Sequence, residues 1–126
     1  MIIYNSYVFG AILSLGVVQL PTTSWQNTMT VTATAYNSLP NQTDSTPDLA
    51  AWGDRLKPGM KSIAVSRDLL KQGLGHRARV KIEGLEGTYV VLDKMNKRWR
   101  KKIDIYMGKD AKAARKWGRQ KVNISW

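Results

Sequence analysis

The sequence predicts a mainly β fold, a small barrel of six or so short strands with one or two short helices. Short runs rich in β-branched and aromatic residues recur along residues 29–126 and alternate in polarity, as strands do. Gly, Asn, Pro and Ser clusters separate these runs. The length of 126 residues leaves room for one such domain and a leader. Many short strands divided by turns are typical of small barrels.

The first strands flank a long loop. Residues 29–36 alternate Thr with Val and Ala, which predicts a strand with one buried face. Residues 37–54 are rich in Asn, Pro, Ser, Thr and Asp and predict a loop of the kind that often carries function. Residues 61–65 predict a second strand, and Ser66 can then cap a short helix that ends at Leu70.

The second half of the chain supplies the remaining elements. Alternating runs predict strands at residues 77–83, 88–93, 103–107 and 122–126. Gly-Leu-Glu-Gly at 84–87 is a hairpin signal between two of them. Residues 109–117 predict a short helix, with Asp110 in its first turn and Gly118 after its end.

An apolar leader precedes the domain. Residues 7–20 are uncharged and mostly apolar, with the length of a signal-peptide core and short of the roughly 20 residues that span a bilayer. We therefore divide the chain into a leader, residues 1–25, and a domain, residues 28–126. We expect export to the periplasm or cell envelope, where the protein can also associate with the outer membrane. The leader would serve as a signal peptide or as a membrane anchor. The alternative is a cytoplasmic chain with an apolar first strand, because no basic residues precede the run.

Composition excludes several kinds of site. The chain has no cysteine, which excludes disulfides and thiolate metal sites, and one histidine, which excludes multi-histidine zinc sites. No P-loop or Gly-x-Gly-x-x-Gly is present. We expect neither a metal ion nor a cofactor, and a monomer.

The charge is unevenly distributed. Residues 1–54 contain three Asp and no Lys or Arg, and so carry a charge of −3. The net charge of the chain is +11, so residues 55–126 carry +14. A basic domain attracts an anionic partner, which can be nucleic acid, a phosphate-rich envelope surface or an acidic glycan. Charge alone does not choose among them.

Residues 88–107 are the most informative stretch. Two strand-like runs each carry one aspartate, Asp93 and Asp104, and a basic connection joins them. Strict alternation places Asp93 on the same face as Tyr89 and Val91. One interpretation is structural, with Asp93 capping a turn and Asp104 pairing with a nearby cation. The other is functional, because an acid among apolar strand residues is costly to bury.

A wider pattern favours the functional interpretation. Six segments have the order and spacing of segments in a known domain family. They lie at residues 32–36, 63–65, 80–84, 89–93, 102–106 and 114–119. From Thr30 onward the sequence resembles the 3D (Asp-Asp-Asp) domain family, the double-psi β-barrel domain shared with membrane-bound lytic transglycosylase A and related cell-wall-lytic proteins. This resemblance implies a six-stranded double-psi barrel that acts on peptidoglycan glycan strands.

The resemblance also implies a chemistry. Such enzymes cleave the β-1,4 bond between N-acetylmuramic acid and N-acetylglucosamine with a single aspartic acid, and the sugar's C6 hydroxyl closes a 1,6-anhydro ring. Asp104 matches the catalytic acid, and Asp93 matches the aspartate before it. To act as an acid, Asp104 needs a pKa well above its usual value of about 3.9. Burial and Asp93 raise that pKa, so the six cations of residues 94–102 must point outward to the polymer.

Further residues are candidates for substrate binding. Four aromatic side chains can pack on sugar rings, and two acids can contact hydroxyls: Tyr36, Trp52, Trp99, Tyr106, Asp44 and Asp68. Packing in the core, turn formation and helix capping are the structural alternatives for these six.

The sequence departs from the family in two places. The first family aspartate usually follows Ile-Ala-Val, but Ser66 stands there and the nearest acid is Asp68. Residues 94–100 replace a Gly-rich stretch that helps to shape the groove.

These departures keep a second hypothesis open, a glycan-binding barrel without activity. A third, nucleic-acid binding, rests on the basic charge around Trp99. It ranks last because the strand-borne acids would repel phosphates.

Overall fold

The computed structural model describes residues 24–38 and 49–126. Except for residues 24 and 25, the predicted leader lies outside the described residues, and so does Asp44. The described elements are β1 Thr28–Tyr36, β2 Ser62–Val65, α1 Arg67–Leu70, β3 Arg79–Ile82, β4 Tyr89–Lys94, β5 Lys102–Tyr106, α2 Ala111–Trp117 and β6 Gln120–Ser125. The predicted strands and both helices are confirmed, with small shifts at their ends.

The six strands form a closed barrel in the order β1-β5-β2-β4-β3-β6. The pairs β1–β5 and β2–β4 are parallel, and the other neighbours are antiparallel. Closure gives each described strand a paired neighbour on both sides, which limits edge-to-edge aggregation. The prediction of a mainly β barrel with two short helices is thus confirmed.

Alternation along the strands fills the barrel interior with apolar side chains. In β1 the threonines are partly exposed, whereas Val31 and Ala33 are buried in the core. In β5, Ile103 and Ile105 are buried in the same core. Each fully buried Val or Ile side chain contributes about 1.5–3 kcal/mol. The side chains that lie between these positions therefore point to the outer face of the sheet.

The loop before β2 covers part of that outer face. Ala50 and Leu56 in the loop pack with Leu92 of β4 and Tyr106 of β5 in a second buried cluster. Tyr36 packs against this cluster from β1. The outer faces of β1, β5, β2 and β4 are therefore partly enclosed by the loop, which creates a sheltered surface outside the barrel core.

A β-bulge in β4 corrects one sequence prediction. Ile63 of β2 pairs with Val91, but the next residue, Ala64, pairs with Asp93, so Leu92 is an extra residue. Such a slip turns the following side chains to the opposite face of the sheet. The prediction that Asp93 shares a face with Val91 is therefore wrong. Asp93 lies on the outer face, beside Ala64.

The two helices begin differently. Asp110 caps α2, and its Oδ1 accepts a hydrogen bond from the backbone N–H of Ala113 at 2.9 Å. Ser66 occupies the N-cap position of α1 but makes no capping hydrogen bond there. Its Oγ instead accepts from the backbone N–H of Lys102 at 3.0 Å. Ser66 thus ties the end of β2 to the start of β5.

Within residues 24–38 and 49–126, no helix has the length and apolar character needed to cross a membrane.

Gly108 offers a test of how the chain after β5 is held. Its φ is +61°, and a Cβ at this position would lie 3.1 Å from Pro58 Cα. Left-handed backbone costs an ordinary residue about 1–2 kcal/mol, and the Pro58 contact adds to this. We expect Gly108→Ala to lower the free energy of unfolding by at least that amount in urea titrations.

Gly75→Ala is the matched control for Gly108→Ala. A Cβ at Gly75 meets nothing within 4 Å, and its φ is not positive. Gly75→Ala should change the free energy of unfolding by no more than about 0.5 kcal/mol. Equal losses in the two variants would contradict the explanation from backbone strain and contact.

Candidate active site

Two aspartates lie in one row across the outer face of the barrel. Ala64 of β2 is the register partner of both Asp93 in β4 and Asp104 in β5. Thr34 of β1 extends the row, because it pairs with Asp104 from the other side. Neighbouring strands are about 4.8 Å apart, so the Cα atoms of the two aspartates are separated by roughly 10 Å. Ala64, with its small side chain, lies between them in the row.

Asp104 is the more buried of the two carboxyl groups. Its Oδ1 accepts a hydrogen bond from the Thr34 hydroxyl at 3.0 Å. Burial raises the pKa of Asp104 above its ordinary value, and the charge of Asp93 adds to the rise. The Thr34 hydrogen bond and the charge of Lys102 oppose the rise but do not cancel it. Asp104 therefore keeps its proton to a higher pH than a solvated aspartate does.

Asp93 is held by backbone groups. Its Oδ1 accepts hydrogen bonds from the N–H of Ala51 at 2.8 Å and of Lys94 at 2.9 Å. Burial raises the pKa of Asp93, while these two hydrogen bonds and the charge of Lys94 lower it in part. The Ala51 contact links the loop before β2 to the end of β4. It fixes the direction of the carboxyl group.

Tyr36 lies next to both carboxyl groups. Burial raises the pKa of its hydroxyl, and the charges of Asp93 and Asp104 raise it further. The hydroxyl is buried and makes no hydrogen bond to any described residue. Tyr36 was predicted as a residue that packs on sugars, and the structure places its polar end beside the acids. Its hydroxyl is therefore a buried hydrogen-bond donor close to the two acids.

The cations of residues 94–102 do not all point outward. Lys102 is only 7% exposed, and its Nζ lies 3.6 Å from the centre of the Trp99 ring. Arg98 lies over the same ring at 4.8 Å. The requirement that these cations face away from Asp104 is therefore not met by Lys102. Asp104 still has a raised pKa because burial outweighs the Lys102 charge.

Trp99 and Trp52 both hold cations. Lys94 Nζ lies 5.3 Å from the Trp52 ring centre, and His76 stacks on that ring at 4.7 Å. His76 Nε2 is in turn 2.5 Å from Asp54 Oδ2. Both Trp side chains are partly exposed, and Trp52 also packs against the main core of the barrel. A cation on the face of an aromatic ring is stabilised by the ring's quadrupole. Each ring thus presents part of its surface together with a positive charge.

Tyr106 belongs to the packing of the site. Its side chain is only 3% exposed, and its hydroxyl is 3.0 Å from Ser38 Oγ. Its ring packs against Tyr36 with the centroids 5.6 Å apart. A ring covered in this way offers no free face to a sugar. Tyr106 therefore supports Tyr36, and the structure does not favour its predicted role in stacking.

Asp68 holds the connection between β4 and β5. Its Oδ2 accepts a hydrogen bond from the backbone N–H of Lys101 at 3.0 Å. Burial raises the pKa of Asp68, but hydrogen bonds from the Ser66 hydroxyl and Lys101 outweigh it and the pKa falls below its ordinary value. Asp68 is a charged anchor outside the row of acids. Its predicted contact with substrate does not follow from this position.

Sequence reasoning missed two residues of the site. Thr34 is one, since a threonine in an alternating strand carries no signal of its function. Lys102 is the other, because its charge predicted an exposed side chain. The register of β1 with β5 brings Thr34 to Asp104. Within the described residues, no group of three or more His, Asp or Glu side chains could hold a metal ion.

No family model matches the sequence, and no curated protein matches it.

The balance of charges at Asp104 can be tested with two variants. Thr34→Val removes a hydrogen bond to the carboxylate, and Lys102→Met removes a positive charge beside it. Both changes destabilise the ionised form, so both should raise the pKa of Asp104 further. Carboxyl-carbon NMR titration of Asp104 measures this directly. Lys71→Met, which changes an exposed lysine after α1, is the control and should leave the pKa unchanged. A fall of the Asp104 pKa in either variant would contradict the conclusion that Thr34 and Lys102 stabilise the charged form of Asp104.

Proposed function

We propose that this protein is a lytic transglycosylase-like enzyme of peptidoglycan turnover that cleaves the O-glycosyl bond between N-acetylmuramic acid and N-acetylglucosamine. The observation that carries the proposal is the row in which Asp104 and Asp93 flank Ala64. Asp104 combines a raised pKa with a position on the outer face of the barrel, in the row that also holds Asp93. A carboxyl group kept protonated near neutral pH is what a general acid requires.

Asp104 performs both proton transfers of the proposed reaction. Its carboxyl group donates a proton to the glycosidic oxygen as the bond from the sugar C1 to that oxygen breaks. The resulting carboxylate accepts the proton of the C6 hydroxyl, whose oxygen bonds to C1 and closes the 1,6-anhydro ring. Asp104 is then protonated again, so no water molecule is consumed.

Asp93 has an electrostatic role in this mechanism. Its negative charge raises the pKa of Asp104 and so helps to keep the acid protonated. It also lies on the face where the oxocarbenium-like transition state carries positive charge.

Membership of the 3D domain family and the double-psi topology are part of the same proposal. Residues 32–36 and 102–106, two of the segments that carry the resemblance, pair with each other in parallel. Residues 63–65 pair in parallel with the end of β4, another of these segments. Four of the six segments that match the family are thus neighbours around the acids, which supports the proposal. Export to the cell envelope, where peptidoglycan is the partner, follows from it.

A glycan-binding barrel without activity is the second candidate. The position of the family's first aspartate is occupied by Ser66, which is buried and bonded to Lys102. Asp68, the nearest acid, is engaged by Lys101. These contacts favour a site that lacks the first of the three family acids. Nucleic-acid binding remains third, because the row of acids repels phosphates.

Replacement of Asp104 tests the proposed chemistry. Asp104→Asn keeps the shape of the side chain and removes the transferable proton. We expect release of 1,6-anhydro muropeptides from purified sacculi to fall by about 10²–10⁴-fold, the usual contribution of a general acid. Mass analysis of the soluble products measures this release.

Asp110→Asn is the matched control for Asp104→Asn. It makes the same change of charge at the cap of α2, where Asn caps as well as Asp. Its activity should equal that of the unmodified protein. Full activity of Asp104→Asn would remove Asp104 from the mechanism. Sacculus binding by the unmodified protein without anhydro products would favour the glycan-binding candidate.

A further inference from the structure

We propose that a second row on the same outer face, formed by Lys102, Thr32 and Lys121 and flanked by Arg119 and Arg98, is a subsite for an anionic substituent of the glycan. The inference rests on the proposed function, since it names a group that the substrate carries beside the bond to be cleaved.

Strand register places these residues in a line. Thr32 of β1 is the partner of Lys102 in β5 and of Lys121 in β6. Their neighbours Val31 and Val122 pair inside the core. Because side chains alternate across a strand, Thr32, Lys102 and Lys121 point to the outer face. This basic row therefore lies on the same side of the sheet as Asp104.

The basic row lies close to the row of acids. Lys102 and Asp104 are two positions apart in β5, which corresponds to roughly 6.6 Å along the strand. The Trp99 ring covers Lys102, so the surface next to the amine is apolar. A sugar that presents its glycosidic oxygen to Asp104 would hold its substituents within reach of this row.

The cations of the row repel one another. Burial lowers the pKa of Lys102 and Asp104 opposes this, while the charges of Arg119 and Arg98 lower the pKa further. Within residues 24–38 and 49–126, no carboxylate lies at ion-pair distance from Arg119 or Lys121. An anion bound here would relieve this repulsion. The positive charges of Arg119 and Lys121 are therefore available to an anionic ligand.

The pattern of charge favours a glycan over a nucleic acid. A chain with a phosphate at every unit would place negative charge against Asp93, whose carboxylate is the charged member of the pair in the proposed mechanism. A largely neutral sugar chain with spaced anionic groups avoids this, since its neutral part lies over the acids and its anion lies over the cations. Stem-peptide carboxylates and phosphate substituents share this chemistry.

Binding measurements on the full chain carrying Asp104→Asn test the subsite, because this change slows cleavage of the ligand. The probes are soluble peptidoglycan fragments treated with hydrofluoric acid to remove phosphate, the same fragments with their carboxylates amidated, and untreated fragments that carry phosphate. We expect charged fragments to bind more tightly than amidated ones, and increasingly so as the salt concentration falls.

Arg119→Gln and Lys121→Gln should each reduce this preference by about two- to fivefold, the range of an exposed ion pair. Arg79→Gln is the matched control, since Arg79 is exposed on β3, the strand opposite β5 in the barrel. The preference should be unchanged in this control. Preference for carboxylate-bearing or for phosphate-bearing fragments supports the subsite and identifies the source of the anion.

Three results would overturn the subsite. They are equal binding of charged and amidated fragments, an equal loss in Arg79→Gln, and tighter binding of a single-stranded oligonucleotide than of any fragment. Product analysis with the unmodified protein separates this inference from the proposed function. Anhydro products without a charge preference would refute only the subsite, and a charge preference without anhydro products would refute only the cleavage.

Discussion

The bulge in β4 is the constraint on which the site depends. Without Leu92 as an extra residue, Asp93 would point into the apolar core with Val91, where a carboxylate is costly to bury. The bulge turns Asp93 to the outer face, where backbone N–H groups bind it and where its charge reaches Asp104. β-Bulges commonly re-aim side chains beside active sites. One inserted residue thus brings Asp93, which follows core residues in β4, into the same row as Asp104.

Opposing effects set the state of Asp104. Burial and Asp93 favour the protonated form, while Thr34 and Lys102 favour the charged form. A residue that serves as acid and then as base needs both forms within reach, so partial cancellation suits the proposed reaction. Lys102 also belongs to the basic row, and its charge acts on Asp104 in the neighbouring row of acids. In the proposed function, the outer face would give a proton to a neutral sugar and would bind an anion through its cations.

Much of the barrel could be predicted from the sequence, because alternation and turn residues reflect local preferences. The threonines of β1 and the isoleucines of β5 have the predicted faces. The side of Asp93 could not be predicted, since a bulge depends on how β4 pairs with β2 and leaves no local signal. The burial of Lys102 depends on Trp99, which reaches it through the fold. Tyr106 likewise looks like an exposed strand residue until the loop before β2 covers it.

The charge coupling between the two aspartates tests the account most directly. Carboxyl-carbon NMR titration of Asp104 should give a pKa above the ordinary value in the unmodified protein, and a lower one in Asp93→Asn, because the neighbouring negative charge is gone. Asp110→Asn should leave the Asp104 pKa unchanged. An Asp104 that titrates at its ordinary pKa, or that does not respond to the loss of Asp93, would contradict a shared site on the outer face.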